Sequence, residues 1–180
     1  MKAGDYLVLK QKIIDAGYSD EIEWSENIKP CQSADEFFCQ YMWVVLNSGM
    51  KNQIARQIET RIYDAWERGE STASAFGHKG KAAAIDYVKY FKDGIFGMYQ
   101  SREDKIEYLK TLPWIGDITK YHLAKNLGFD VVKPDRHLVR ISKKYGKTPD
   151  EICKALADKT GDRIATVDLV IWRAANLGMI

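Results

Sequence analysis

At 180 residues the chain is long enough for one domain, or for two small lobes sharing a core. A hydrophobic content of 46% is that of an ordinary globular protein, and no apolar run approaches the roughly 18–20 residues needed to span a bilayer. The net charge of +2 decides nothing by itself, and three widely spaced cysteines (Cys31, Cys39, Cys153) with no CxxC pair argue against a disulfide framework and read as reduced, buried small side chains.

The opening Met-Lys-Ala-Gly-Asp-Tyr lacks the apolar core of a signal peptide, so a cytoplasmic protein is expected. A helix follows over residues 5–16, with Leu7, Leu9, Ile13 and Ile14 apolar and Gly17 as its stop. Residues 18–32 read as acidic and irregular, with Trp24 and Pro30 among them. Ser33-Ala-Asp-Glu36 is a capping box: the Ser33 side chain accepts from the Glu36 amide, and Glu36 reaches back to the cap. The helix it opens, 34–47, carries Phe37, Phe38, Tyr41 and Trp43 and is apolar nearly all round, which predicts a central, buried position.

Asn47-Ser48-Gly49-Met50-Lys51 breaks that helix. A second runs over about 51–68, with Ile54, Ile58, Ile62, Ala65 and Trp66 on one stripe and Gly69 as its stop. Residues 70–80 are small and polar. A helix over 81–92 ends near Gly94, and Ser101-Arg-Glu-Asp104 caps another over 102–110. Leu112-Pro113-Trp114-Ile115-Gly116 is too short to be anything but a sharp turn, and 117–127 forms the next helix, closed by Gly128. Beyond Pro134 lies a helix over 135–145 with Asp135 at or beside its N-cap. Thr148-Pro149-Asp-Glu151 is a second capping box with proline at the first helical position, opening 149–159. The last helix, 162–177, carries Ile164, Val167, Val170, Ile171, Ala174 and Ala175. Alternation of period two is nowhere sustained, so the chain is predicted to be all-α, without repeats.

Charge is unevenly spread. Residues 15–36 hold seven acids against one base, whereas residues 119–147 hold eight bases against Asp130 and Asp135. A basic segment alone reads as a solvated face. Directly after a turn of this kind it reads as an electrostatic footprint for a nucleic-acid backbone. Gly116 can take φ > 0 or let a phosphate approach, and the amides after it open a helix, where an anion is welcome. The histidines (His78, His122, His137) have no metal-ligand spacing.

Residues 106–141, with the order of elements over about 33–178, resemble the helix-hairpin-helix–GPD DNA glycosylases of endonuclease III type. The signature of that superfamily is a Leu-Pro-Gly-(Val/Ile)-Gly hairpin followed by a Gly/Pro loop and an aspartate, here Leu112–Gly116 and Lys133-Pro134-Asp135. The resemblance implies a two-lobed helical fold. Residues 33–129 would form a central lobe with the helix-hairpin-helix at 102–127, and residues 1–32 plus 130–180 a second lobe carrying the catalytic aspartate. It implies a monomer that binds double-stranded DNA, flips a base and excises it, as a hydrolase in the base excision repair of DNA damage. Asp135 would stabilise the positive charge that develops on the sugar and orient or deprotonate the attacking water. Trp114, Gly116, Ile118 and Thr119, with Lys79, Lys81 and Arg136, would bind the DNA backbone. A Na+ or K+ ion would sit at the hairpin backbone of residues 111–116. Trp24, Trp43, Asn47, Met50 and Trp172 are candidates for a base pocket or an intercalating wedge; a core position for each tryptophan and a surface turn for Met50 remain the plainer readings.

Three departures shape the expectation. Trp114 stands where the hairpin has its first glycine, and a tryptophan resists φ > 0, so that turn is expected to be built differently. Ile118 stands where bifunctional members carry the lysine that attacks the sugar, and Lys120 lies about 200° round a helix from it, so a monofunctional enzyme without a lyase step is expected. Only Cys153 lies in the half where endonuclease III carries four cysteines, so no iron–sulfur cluster is expected. Two alternatives stay open. One is a glycosylase-fold enzyme of phage type that modifies a flipped base, such as an amino acid:DNA transferase acting on an activated thymine. The other is a DNA-binding module without catalysis. A cytoplasmic, nucleoid-associated location, in a cell or from a phage, goes with all of these.

Overall fold

The computed structural model describes all 180 residues as eleven α-helices with no strand. No helix is long and apolar enough to cross a membrane. The chain divides into two compact units, one of Met1–Pro30 with Ala124–Ile180, the other of Cys31–Leu123. The family resemblance implies the second division at residue 129; in the structure residues 124–129 belong with the terminal segments.

The first unit holds α1 (Ala3–Ile13), α2 (Ser19–Asn27), α9 (Arg136–Lys144), α10 (Pro149–Thr160) and α11 (Ile164–Asn176). The expectation that residues 18–32 are irregular is corrected, because Ser19–Asn27 is helical. Gly17 takes φ 88° within a π-helical turn, Ile14–Tyr18, so the chain kinks and resumes instead of stopping. Asp20 and Glu21 then lie in the first turn of α2, where the helix dipole favours them. Tyr6, Leu9 and Ile13 of α1 pack with Leu138 and Ile141 of α9, Leu156 of α10 and Val170 and Ile171 of α11 in one core.

Polar bonds join the two chain ends around that core. Tyr6 donates to Asp162 Oδ2 at 2.6 Å and Lys10 to Oδ1 at 2.8 Å. Arg173 holds Glu21 through Nε and Nη2 at 2.5–3.0 Å. Arg163 donates to the Ser25 and Gly128 carbonyls at 2.7 and 2.9 Å. The Thr148–Glu151 capping box forms as predicted, with Pro149 at the first helical position.

The second unit holds α3 (Ala34–Asn47), α4 (Asn52–Glu67), α5 (Thr72–Ala75), α6 (Lys79–Ser101) and α7 (Lys105–Leu109). The aromatic-rich α3 is buried on most of its circumference and packs chiefly on α6. Ser33 accepts from the Glu36 amide at 3.1 Å, but Glu36 takes the Gln32 amide at 3.0 Å, so the capping box is displaced by one residue. In α4, Ala55 replaces Ile54 on the buried stripe, and Ile54 is exposed. Cys31 and Cys153 are buried; Cys39 is only half-buried, with its sulfur 3.6 Å from the Tyr63 hydroxyl.

The largest departure is α6, which runs through Gly94 and Gly97 to Ser101. Each helical glycine costs about 1 kcal/mol relative to alanine. Beyond them Ile95, Phe96 and Tyr99 are buried, and Phe96 and Tyr99 pack on Phe37 with ring centroids 5.8 and 5.0 Å away. Apolar burial of roughly 1.5–3 kcal/mol per side chain outweighs the glycines.

The helix α8 (Thr119–Asn126) crosses from the second unit to the first and closes at Gly128. Gly128 takes φ 98°, its amide bonds the Lys125 carbonyl and the next amide bonds Ala124, a Schellman-type closure. A Cβ here would lie 2.7 Å from the Lys29 carbonyl oxygen and 2.8 Å from Pro30 Cα. Gly128→Ala therefore meets both a backbone penalty and rigid overpacking, and is expected to destabilise the protein by about 2–4 kcal/mol. Urea unfolding of the variant measures this, and a midpoint matching wild type would contradict the packing described.

Candidate active site

The hairpin is built by α7, the turn after it and α8. The expected first arm over 102–110 is shorter than predicted: Ser101 closes α6, and the cap of α7 is Asp104, which accepts from the Glu107 amide at 2.9 Å. The Ile115 amide bonds the Leu112 carbonyl at 3.1 Å, with Pro113 and Trp114 as the central pair. Trp114 takes φ 63° and no other non-glycine residue has positive φ. Proline followed by a positive-φ residue is the type II pattern. The expectation that tryptophan forces another turn is thus corrected. Its indole donates to the Gly80 carbonyl at 3.1 Å and meets His78 edge-on at 4.9 Å, and the Pro113 carbonyl accepts from Tyr41 at 2.9 Å. These contacts hold a residue that the backbone disfavours.

Gly116 is not in the positive-φ set, and its amide is already taken by Thr119 Oγ1 at 2.7 Å. Asp117 pairs with Lys110 at 2.6 Å, an exposed contact. Ile118 is exposed and Thr119 half-buried. Lys120 is nearly buried and pairs with Glu107 at 2.5 Å, which holds its ammonium above the usual lysine value.

The other candidates in this unit separate into two groups. Lys79 is exposed. Lys81 is not available at the surface: it is 7% exposed, its ammonium donates to the Ser48 carbonyl at 2.6 Å, and burial lowers its pKa. It thereby ties the 47–51 turn, with Gly49 at φ 74°, to the start of α6 and so to Trp114. Asn47 and Met50 flank that turn, half-buried. Trp43 is half-buried beneath the Arg56 guanidinium, 4.1 Å from the ring.

In the first unit Asp135 caps α9. Its Oδ1 accepts from the His137 and Leu138 amides at 2.9 and 3.2 Å, which leaves Oδ2 directed away from the cap. Lys133 Nζ stands 4.0 Å from that Oδ2. The Lys133 amide donates at 3.0 Å to Asp168, an acid on α11 that is 2% exposed, and the same Asp168 oxygen takes the Lys125 ammonium. Burial pushes the Asp168 carboxyl up, while Lys125 and the Lys133 amide pull it back. Burial likewise lowers the Lys133 amine, against the Asp135 and Asp168 carboxylates. Arg136 is exposed beside Asp135. Trp24 is 45% exposed, and Trp172 is half-buried against the core with Arg173 stacked 4.7 Å from its ring.

Lys133, Lys125 and Asp168 were not among the sequence candidates. Two signals point to them. Asp168 is the one acid in the apolar run of α11, and a lone acid on such a stripe is buried only with a partner. Lys133 and Asp135 flank a single proline, which keeps the two side chains near one another.

No family model and no curated protein matches the sequence. Among solved structures, the 8-oxoguanine glycosylase/lyase of Methanocaldococcus jannaschii, in complex with a 15mer DNA containing 8-oxoguanine, superposes with a TM-score of 0.65. The match covers 96% of this chain and 98% of that one at 18% identity. The two share a fold. The all-α architecture is therefore one that this chain shares with that structure.

The hairpin carries its own test. A Cβ on Gly80 would lie 2.9 Å from Trp114 Cζ2. Gly80→Ala should push the indole off α6, break its bond to the Gly80 carbonyl and destabilise the fold by about 1–3 kcal/mol. The Trp114 indole N–H resonance reports the bond, and an unshifted resonance would show that α6 does not hold the hairpin.

Proposed function

We propose that the protein is a monofunctional DNA N-glycosylase, which flips a damaged or modified base out of double-stranded DNA and hydrolyses its glycosidic bond. The observation that carries this reading is Asp135: on a chain with the fold of a glycosylase/lyase, one carboxylate oxygen is spent on capping α9 and the other is left for chemistry. The two backbone bonds fix the carboxylate's orientation. Such a carboxylate can stabilise an oxocarbenium-like sugar and take a proton from water.

Ile118, an aliphatic side chain where the resemblance puts the attacking amine, supports hydrolysis without a covalent step. The backbone-binding set is proposed as Trp114, Gly116, Ile118, Thr119, Lys79 and Arg136. Because Thr119 already takes the Gly116 amide, the amides of residues 117 and 118 are the better phosphate donors, with Lys110 neutralising the Asp117 carboxylate. Lys81 is dropped from this set and assigned to holding the 47–51 turn. The Leu112 and Pro113 carbonyls each accept one protein hydrogen bond and keep a lone pair, which fits a Na+ or K+ bridging to phosphate. A pocket or wedge role is proposed for the exposed Trp24 and for Met50 and Asn47; Trp43 and Trp172 are better explained as packed aromatics.

Abasic-site formation on duplexes carrying damaged and alkylated bases tests the reading. Asp135→Asn should lower single-turnover excision by about 10²–10⁴-fold while DNA binding persists. Wild type releasing no base, or Asp135→Asn changing nothing, removes it. Consumption of a small amine donor with the base still attached would instead indicate base modification. Borohydride should trap no adduct with wild type. Arg136→Ala should reduce the slope of log K against log salt by about 1 if it meets a phosphate.

A further inference from the structure

The proposed glycosylase leaves one charged side chain beside its catalytic carboxylate unexplained. Lys133 is held at its backbone from both sides. Its amide is fixed by the buried Asp168 at 3.0 Å, and its carbonyl accepts from the Asp135 amide at 2.7 Å across Pro134. The amine, by contrast, makes no hydrogen bond within the protein: the nearest acid is Asp135 Oδ2, 4.0 Å away, beyond hydrogen-bond range. The side chain is three-quarters buried, so this is not a solvated surface lysine. If Lys133 served only to pair with Asp135, the flexible stem would allow contact; if it served only packing, an ammonium would be costly there.

We propose that Lys133 is the general acid of the excision step, donating a proton to the departing base while Asp135 handles the water. This rests on the glycosylase reading and deepens it. The C1′–N bond breaks with its electron pair passing to the base nitrogen. The Lys133 ammonium gives that nitrogen, or a conjugated ring atom, a proton. Water forms the new C1′–O bond and its proton passes to Asp135 Oδ2. A proton then returns from Asp135 to the Lys133 amine across the 4.0 Å gap, through one water or a small swing of the lysine stem. The sum is nucleotide plus water giving an abasic sugar and free base, with no oxidant or reductant.

The groups facing the amine suit this task. Asp135 and Asp168 support its charged form; Lys125 opposes it, and burial opposes it most, so the ammonium is a stronger acid than an ordinary lysine. An acid tuned toward working pH transfers protons more effectively. The anion of a neutral base leaving through nitrogen needs that proton. A base already cationic, such as 7-methylguanine, does not.

The discriminating experiment compares leaving groups. Lys133→Met and Lys133→Arg are each assayed with wild type and Asp135→Asn on duplexes carrying neutral lesions (uracil, 8-oxoguanine) and a cationic one (7-methylguanine), after circular dichroism and DNA binding show that each variant folds. Both Lys133 variants should slow release of neutral bases by about 10²–10⁴-fold and release of 7-methylguanine by less than about tenfold. Asp135→Asn should slow both. Where only one class is cut, the pH profile decides: the alkaline fall of the wild-type rate should vanish in Lys133→Met. Equal slowing of both classes, or an unchanged alkaline limb, would leave Lys133 a positioning residue only. A borohydride-trapped adduct lost in Lys133→Met would make it a nucleophile and overturn the assignment. Wild type that releases no base fails the glycosylase reading itself, whereas normal release by Lys133→Met fails this inference alone.

Discussion

Asp168 brings a carboxylate into the core of the first unit, where an unpaired charge costs several kcal/mol. Two donors reach the same oxygen: the ammonium of Lys125, near the end of α8, and the amide of Lys133. Removing either leaves the buried carboxylate with a single donor, so the pair couples α11, the end of α8 and the segment that leads into α9. That segment is where Asp135 begins its helix. The ion pair is weak evidence for stability, since such pairs often do no better than well-packed apolar groups. Its stronger consequence is positional. It permits one backbone path through Lys133 and Pro134, and that path sets where the Asp135 carboxylate starts.

The same logic explains why the first unit needs both chain ends. Glu21 and Ser25, from α2, are reached by Arg173 and Arg163 near the other terminus, and Tyr6 and Lys10 converge on Asp162. Arg163 also reaches the Gly128 carbonyl, immediately after α8 closes. Through Glu21, Glu26 and the Ser25 carbonyl, the N-terminal stretch thus serves as a set of acceptors for Arg163 and Arg173, far along the sequence.

This accounts for what the sequence disclosed and what it hid. Local signals were legible: the aromatic girth of α3, the Thr148–Glu151 box, Asp135 as a cap and the absence of strand periodicity are set within a turn or two of chain. Features decided by distant partners were not. The run 18–32 read as irregular because the partner of its Glu21, Arg173, lies 152 residues away. The helix α6 read as ending at Gly94 because the reward for continuing, burial of Ile95, Phe96 and Tyr99, depends on α3. Lys81 read as a phosphate contact because no local pattern announces that its ammonium will be buried on the Ser48 carbonyl.

Trp114 shows that a turn position suited to glycine can be held by a tryptophan. A positive φ costs a non-glycine residue about 1–2 kcal/mol. An indole hydrogen bond contributes about 0.5–1.5 kcal/mol net, and an edge-to-face aromatic contact a similar amount. The Gly80 carbonyl and His78 therefore offset the strain, provided that the second residue of α6 lacks a Cβ. A glycine at 114 would leave the turn free to sample other conformers; the tryptophan makes it one conformer, tied through Lys81 to the turn at 47–51. What the hairpin gives up in chain freedom it gains in a fixed relation to the rest of its unit.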